Sequence, residues 1–317
     1  MNRAQWFKGN IHTHTNRSDG DEDPYMVVSW YRRHGYDFLV LSDHNHLTLL
    51  DYGGGRRRFR RPLMVPGEEV SLRLNAGDTP VHINGVGISR VVEPIDAGGV
   101  VPTLQANVDA IVEAGGIASI NHPNFGWAFD HREISRVEGA SLLEVFNGHP
   151  AANIHGAPDK PSYEAIWDGV LTAGRVIFGV ATDDSHNYHD FAPWLSNPGR
   201  GWVMVQADEL TQDAIVDGLA SGKFYASTGV KLTRLECSAE GIELEVEQER
   251  DFIYTTRFTG ENGTLLSESI GTTAEYKTDG QEAYVRATVV SSSGPSAWTQ
   301  PVFPGRARVE VGGATLG

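Results

Sequence analysis

Near its amino end the chain reads N10-I-H-T-H-T-N-R-S-D-G20, with His12 and His14 one residue apart and Asp19 just beyond. On a β-strand, residues i and i+2 point to the same face. The two imidazoles would stand side by side, with a carboxylate on the following loop. Neutral imidazoles and carboxylates without thiolates suit zinc, manganese or iron. A polar strand end with exposed histidines would show the same local pattern, so the rest of the chain has to decide. Further groups of the same chemistry follow in S42-D-H-N-H46, G67-E-E-V70, His82, N121-H-P123 and A181-T-D-D-S-H-N187.

The elements that would position these groups are legible in outline. Asp23 followed by Pro24 reads as an N-cap with proline at the first helical position, opening a helix that Gly35 stops. Y36-D-F-L-V-L-S42 reads as a short apolar strand of the kind buried on both faces in parallel sheets. Similar strands are expected at L63-M-V-P, V81-H-I-N-G-V-G, I117-A-S-I-N, L142-L-E-V-F-N and V176-I-F-G-V-A. Helices are expected at T103-L-Q-A-N-V-D-A-I-V-E-A114 and S162-Y-E-A-I-W-D-G-V-L-T-A173. Alternating strands and helices indicate an α/β architecture with a parallel sheet, open or closed into a barrel. Each candidate ligand group then falls at or beside a strand, mostly at its carboxyl end, the face where such folds build their sites. Any one of them could be a core histidine or a loop cap. Their repeated placement at strand ends points to a polynuclear metal centre.

After about residue 230 the pattern changes to short alternating runs such as I242-E-L-E-V-E-Q and A283-Y-V-R-A-T-V-V, separated by Gly, Ser and Asn. This predicts a metal-binding unit over 1–230 and a small antiparallel β-rich, sandwich-like domain over 231–317. The chain has 317 residues, is 40% hydrophobic and carries a formal net charge of -15. That field would repel polyanions, which argues against general nucleic-acid or anionic-membrane binding. The single cysteine, Cys237, excludes an internal disulfide and a cysteine zinc site. There is no apolar run of membrane-spanning length and no secretory h-region at the amino end, so a cytoplasmic location is expected.

Taken in order, H-x-H-T-x-x-S-D-G, S-D-H-N, G-E-E, N-H-P and D-x-H resemble the polymerase and histidinol phosphatase (PHP) superfamily. W30-Y-R-R-H-G-Y-D-F-L, W167-D-G-V-L-T-A-G-R, G179-V-A-T-D-D-S-H, G222-K-F-Y-A-S-T-G and A297-W-T-Q-P-V-F look like its carbaryl-hydrolase-like branch, so the likeness spans nearly the whole chain. The resemblance implies a distorted (β/α)7 barrel holding two or three divalent metal ions. It would put His12, His14, Glu68 and Asp184 around one metal, with Glu68 bridging to a second held by His82 and His122. Asp19, His44 and His186 would hold a third. Asp43 and Asp183, beside ligands, could orient imidazoles or simply cap loops.

Paired metals lower the pKa of bound water and polarise the bond under attack. No Ser-His-Asp order, no G-x-S-x-G elbow and no cysteine near the candidate ligands supplies a protein nucleophile. The expected reaction is therefore hydrolysis by a metal-activated hydroxide. Small phosphoesters are the superfamily's usual substrates; carbamate or carboxyl esters are the branch's. A nuclease fits the acidic surface poorly. A non-catalytic metal-binding module would need only a closed set of four ligands. His149, which ends a strand, is the best-placed candidate for leaving-group protonation among the remaining histidines, and Asp183 is a second candidate catalytic group. D51-Y-G-G-G-R-R-R-F-R-R61 gathers five arginines in an acidic chain, and Arg57, Arg58 and Arg60 could grip an anionic small-molecule substrate through guanidinium forks.

Overall fold

In the computed structural model, which describes residues 5–50, 61–304, 310–311 and 314–315, the amino-terminal strand β1 (Gln5–Asn10) leads into helix α1 (Pro24–Arg33). The Asp23 carboxylate accepts from the Tyr25 N–H, Pro24 occupies the first turn and Gly35 sits at φ 76°, so both ends form as the residue types dictate. Two very short strands follow, β2 (Phe38–Leu39) and β3 (Leu63–Met64), and then the hairpin of β4 (Gly67–Leu74) and β5 (Thr79–Val86). Next come α2 (Val100–Glu113), β6 (Ile117–Ile120), the short α3 (His131–Ile134), β7 (Ala140–Asn147), α4 (Tyr163–Thr172) and β8 (Phe178–Thr182). β9 (Trp202–Ala207), α5 (Gln212–Ala220) and β10 (Phe224–Ser227) complete the first two thirds.

The fold is mixed α/β and richer in sheet than in helix. β4 to β8 form a five-stranded sheet in sequence order, antiparallel across β4–β5–β6 and parallel across β6–β7–β8. β1 lies parallel to β2 and antiparallel to β9 in a second, larger sheet. The expected closed barrel is thus not found as one continuous ladder among the described residues. β2 and β3 are two residues long, too short to carry regular pairing round to β4. Two isolated parallel bridges, Thr13 to Ser185 and His44 to Glu69, tie the two sheets together instead.

The carboxyl-terminal strands are β11 (Leu232–Ser238), β12 (Gly241–Val246), β13 (Tyr254–Gly260), β14 (Thr264–Ile270), β15 (Thr273–Lys277), β16 (Arg286–Ser291) and β17 (Ser296–Thr299). They are antiparallel, as the alternating pattern requires. β11, β12 and β15 form a three-stranded sheet of their own, in the order β11-β12-β15, but the other four join the larger sheet, which runs β14-β13-β16-β17-β10-β9-β1-β2-β3, with β17 pairing with β10 from Tyr225 to Ser227. The change of texture near residue 230 is therefore a change of core and not a break in hydrogen bonding. Val230, Leu232, Ile242, Leu244, Tyr254, Phe258 and Val289 pack in one cluster, while the β4–β8 sheet packs on α2 and α4 through Ile83, Leu104, Ile111, Ile120, Leu143 and Trp167.

Buried polar contacts fix one part on the other. Gln300 both donates to and accepts from the Gly179 backbone, at 2.9 and 2.8 Å, gripping β8 as one more strand would. The Arg286 guanidinium, buried, donates through Nε and a terminal nitrogen to the two oxygens of Asp168 on α4, each at 2.7 Å, and Tyr284 adds a bond at 2.9 Å. Removing one partner of such a pair leaves a charge buried and uncompensated. Asp168→Asn should therefore lower stability by about 3–5 kcal/mol, read as a lower denaturation midpoint in urea. The double replacement Asp168→Leu with Arg286→Met should recover most of it. Equal midpoints for Asp168→Asn and the parent protein would contradict this account of how the two parts are joined.

Candidate metal centre

β1 ends at Asn10, and the chain that follows carries His12 and His14, both fully buried. The strand-like alternation predicted for them holds: each presents its Nε2 to the same carboxylates. His12 Nε2 lies 3.4 Å from Glu69 Oε2 and 3.2 Å from Asp184 Oδ1; His14 Nε2 lies 3.3 and 3.2 Å from the same two atoms. Glu69 also meets His44 Nδ1 at 3.0 Å, His82 Nδ1 at 3.1 Å and His122 Nε2 at 3.1 Å. Asp19, on the loop after His14, reaches His44 Nε2 at 3.4 Å and His186 Nε2 at 3.3 Å. Four overlapping groups of potential ligand atoms result: His14, Asp19, His44 and His186; His12, His14 and Glu69; His12, His122 and Asp184; and His44, Glu69 and His82.

Eight of the nine residues predicted as ligands thus converge, and the ninth is displaced by one position. Glu68 does not face the cluster; Glu69 does. Neighbours on a strand point to opposite faces, and the side chain of Glu68 turns away so that its Oε1 accepts from the Val92 N–H. Burial, opposed by that bond and reinforced by Glu93, raises its carboxyl to about 7. The G-E-E sequence offers two candidates, and only pairing the strand distinguishes them. His82 stands opposite Ser71, and Asn84 opposite Glu69, on the shared face of the β4–β5 hairpin.

The groups that orient the imidazoles also differ from expectation. Glu144 on β7, which sequence reasoning passed over, accepts from His12 Nδ1 at 2.7 Å, from the His122 backbone N–H at 2.6 Å and from Thr182 Oγ1 at 2.6 Å. Ser71 Oγ lies 2.7 Å from His44 Nδ1, and Asn121 donates to Glu69 Oε1 at 2.8 Å. Asn147 donates to Asp184 Oδ2 at 3.1 Å. The only signal of Glu144 in the sequence is a carboxylate set inside the otherwise apolar strand L142-L-E-V-F, which by itself names no partner. Asp43 touches no imidazole. It accepts from the Thr15 backbone and from the Thr15, Ser18 and Thr48 hydroxyls, tying down the loop after His14. Asp183 accepts from Tyr31 OH and from the Gly199, Arg200 and Gly201 N–H groups, and it does not line the cavity, so the geometry gives it a structural place. Arg57, Arg58 and Arg60 lie outside the described residues.

Burial and charge work against one another here. Burial alone would lower His12, but Asp184, Glu69 and Glu144 hold it well above its ordinary value. For His44 burial is likewise outweighed, and Glu69 and Asp19 raise it to about 10. Burial would raise Glu69, yet His44, His12 and His82 pull it well below the usual carboxylate range. His82 goes the other way, lowered by burial despite Glu69. His12 Nε2, His14 Nε2 and Glu69 Oε2 are buried atoms that make no hydrogen bond. Three such polar atoms in one place, unpaired, would be costly to bury. Their separations of 3.3–3.4 Å match the distance of about 3.3–3.4 Å between two ligand atoms on a tetrahedral ion with bonds near 2.0–2.1 Å. The donor set and the orphaned atoms fit divalent metal ions.

The cluster floors a cavity of about 580 Å³, whose other lining residues include Asn45, Ser71, Arg73, Phe125 and His149. His149 Nδ1 accepts from the Ala151 N–H at 3.1 Å, which in the neutral ring puts the proton on Nε2. Its ring packs against Phe125 and His186, and burial lowers its pKa.

No family model matches the chain, and no curated protein matches it significantly. Among solved structures it is similar to a two-domain protein from Bacteroides vulgatus described as containing a predicted PHP-like metal-dependent phosphoesterase. The two share 15% identity over 90% of this chain and 91% of that one, at a TM-score of 0.51. A putative metal-dependent phosphoesterase from Bifidobacterium adolescentis matches at 15% identity, covering 56% of this chain and 87% of its own, and an amidohydrolase from Chromobacterium violaceum at 18%, covering 60% and 93%. Both have TM-scores of 0.37 and add nothing to the fold assignment. The first likeness, at 15% identity, is one of fold alone, a mixed α/β fold shared with that two-domain protein. It does not reach to the carbaryl-hydrolase-like branch.

Substitution separates the two neighbouring carboxylates directly. In protein loaded with zinc or manganese and then dialysed, Glu69→Gln should lose bound metal while Glu68→Gln keeps the parent stoichiometry. Glu144→Gln should weaken affinity by about 10–100-fold, the usual cost of removing a group that orients a ligand imidazole. Metal content by elemental analysis decides it. Loss on Glu68→Gln with retention on Glu69→Gln would reverse the assignment.

Proposed function

We propose that this protein is a metal-dependent hydrolase of small phosphoesters, with its centre built from His12, His14, Asp19, His44, Glu69, His82, His122, Asp184 and His186. The observation that carries the reading is the buried imidazole–carboxylate cluster with unpaired Nε2 and Oε2 atoms, set at the floor of an open cavity. A structural zinc site needs four closed ligands and no cavity; nine candidate ligands around shared carboxylates suit two or three ions. Bound there, divalent ions supply Lewis acidity and make water acidic enough to ionise near neutral pH.

The chain's own residues account for the rest of the chemistry. Glu69 and Asp184 place negative charge between the imidazoles, and Glu144, Ser71 and Asn121 fix the orientation of the rings and of Glu69. His149 holds its proton on Nε2 and can donate it in a hydrogen bond to an oxygen of the substrate in the cavity. Phe125 closes one side of that position against water. In the same reading the strands β1, β2 and β4–β8 make a distorted seven-membered ring, closed at the ligand end by the bridges Thr13–Ser185 and His44–Glu69. The part after residue 230 buttresses it as a second domain. The description of the Bacteroides vulgatus protein agrees with a phosphoesterase, and the alternative is hydrolysis of carbamate or carboxyl esters at the same centre.

A panel of 4-nitrophenyl esters on metal-loaded protein discriminates them. The phosphomonoester or a phosphodiester should show the highest kcat/KM, and chelation should abolish its turnover. His149→Ala should lower kcat by about 10²–10³-fold, as for loss of one transition-state donor, without loss of bound metal. Turnover confined to the carbamate or acyl ester would replace the phosphoester reading with the alternative.

A further inference from the structure

Strand β4 carries a short series on one face: Glu69, Ser71 and Arg73. Side chains two apart share a face of a strand, and the first two are already placed, Glu69 among the imidazoles and Ser71 against His44. Arg73 is next in the row and lines the same cavity. Among the described residues around that cavity it is the one permanent cation; the others are imidazoles, carboxylates and neutral groups. Among the described residues no carboxylate lies within ion-pair distance of it. Among the described residues its hydrogen bond runs from a terminal nitrogen to the Gly77 carbonyl across the β4–β5 turn, at 3.0 Å, which anchors the exposed arm and leaves its other N–H groups without a described partner. In a chain of net charge -15, a guanidinium without a carboxylate beside an acidic, imidazole-lined cavity is out of keeping with its surroundings.

Four residues of strand separate the Arg73 and Glu69 backbones by about 13 Å, at roughly 3.3 Å per residue. Arg73 therefore stands at the rim, too far along the strand to share the ions' position but near enough to meet the far end of a small molecule. We infer that Arg73 is a specificity-determining residue that binds a second anionic group, a carboxylate or phosphate, on a substrate whose scissile ester lies over the metal cluster. This rests on the phosphoesterase reading and narrows it to substrates with two anionic ends. A planar guanidinium fork pairs with either group through parallel N–H bonds, and Arg73 can do this without giving up its bond to Gly77.

The test uses full-length, metal-loaded protein and two pairs of compounds. Phenylphosphonate and 4-carboxyphenylphosphonate report binding by calorimetry, and the corresponding phenyl phosphates report release of inorganic phosphate. The carboxylated phosphonate should bind the parent protein about tenfold or more tightly, the worth of one charge-assisted contact. Arg73→Gln should erase that preference and leave metal content and phenylphosphonate affinity unchanged, and Arg73→Lys should restore part of it. With the esters, the loss in Arg73→Gln should fall on KM and spare kcat. Equal affinity for the two phosphonates, failure of both to bind, or a preference that survives in Arg73→Gln overturns the assignment. If the preference behaves as expected but neither ester releases phosphate, the phosphoesterase reading fails while Arg73 stands as an anion contact.

Discussion

The arrangement turns on one buried carboxylate. Glu69 is inaccessible to solvent, and its two oxygens lie within 3.0–3.4 Å of five imidazoles contributed by His12, His14, His44, His82 and His122. A lone carboxylate in such a place would be expelled or protonated. Here the rings hold it ionised, and it in turn raises the protonation of His12, His44 and His122. Protons and a divalent ion bound here would compete for the same nitrogens, so affinity for metal and pH would be linked. Every orienting group found around the cluster serves this balance: Asn121 on Glu69, Ser71 on His44 and Glu144 on His12.

The same constraint explains where the sheets meet. The single bridge between β2's extension and β4 joins His44 to Glu69, and the bridge between β1's extension and β8's joins Thr13, between two histidines, to Ser185, between Asp184 and His186. Backbone bonds from Asp184 N to His12 O and from His14 N to Ser185 O hold those two segments in register. Asp184 itself sits in the left-handed region at φ 47°, where Asp is among the few side chains tolerated. The carboxyl-terminal strands act from behind. Gln300 grips Gly179 on the strand leading to Asp184, and Arg286 fixes α4 through Asp168. Among the described residues no helix is long and apolar enough to cross a membrane.

Much of this was legible in the sequence because metal ligation restricts residue type so severely. His12, His14, Asp19, His44, His82, His122, Asp184 and His186 could be picked out by type and by nearness to strands, α1 by its cap and terminal glycine, and α2 and α4 as helical segments between strands. The choice between Glu68 and Glu69 was not legible, since a strand's two faces are interchangeable until its partner's register is known. Glu144 was hidden for a related reason: a carboxylate inside an apolar strand reads as an exception until the imidazole it serves is placed beside it. The interruption of the ladder between the two sheets escaped because Tyr36–Ser42 has the composition of a full strand, yet pairs regularly only at Phe38 and Leu39. The sharing of one sheet across residue 230 could not be read either, because antiparallel alternation looks the same in a separate domain and in an extension.

The central claim is that Glu69 lies between metal ions. Anomalous diffraction recorded above and below the absorption edge of the loaded metal tests it most directly. The account predicts at least two anomalous peaks within bonding distance of the cluster, about 2.0–2.2 Å from their ligand atoms, with the Glu69 carboxylate contacting both. A single peak coordinated without Glu69, or peaks only at surface residues away from His12 and His14, would contradict it.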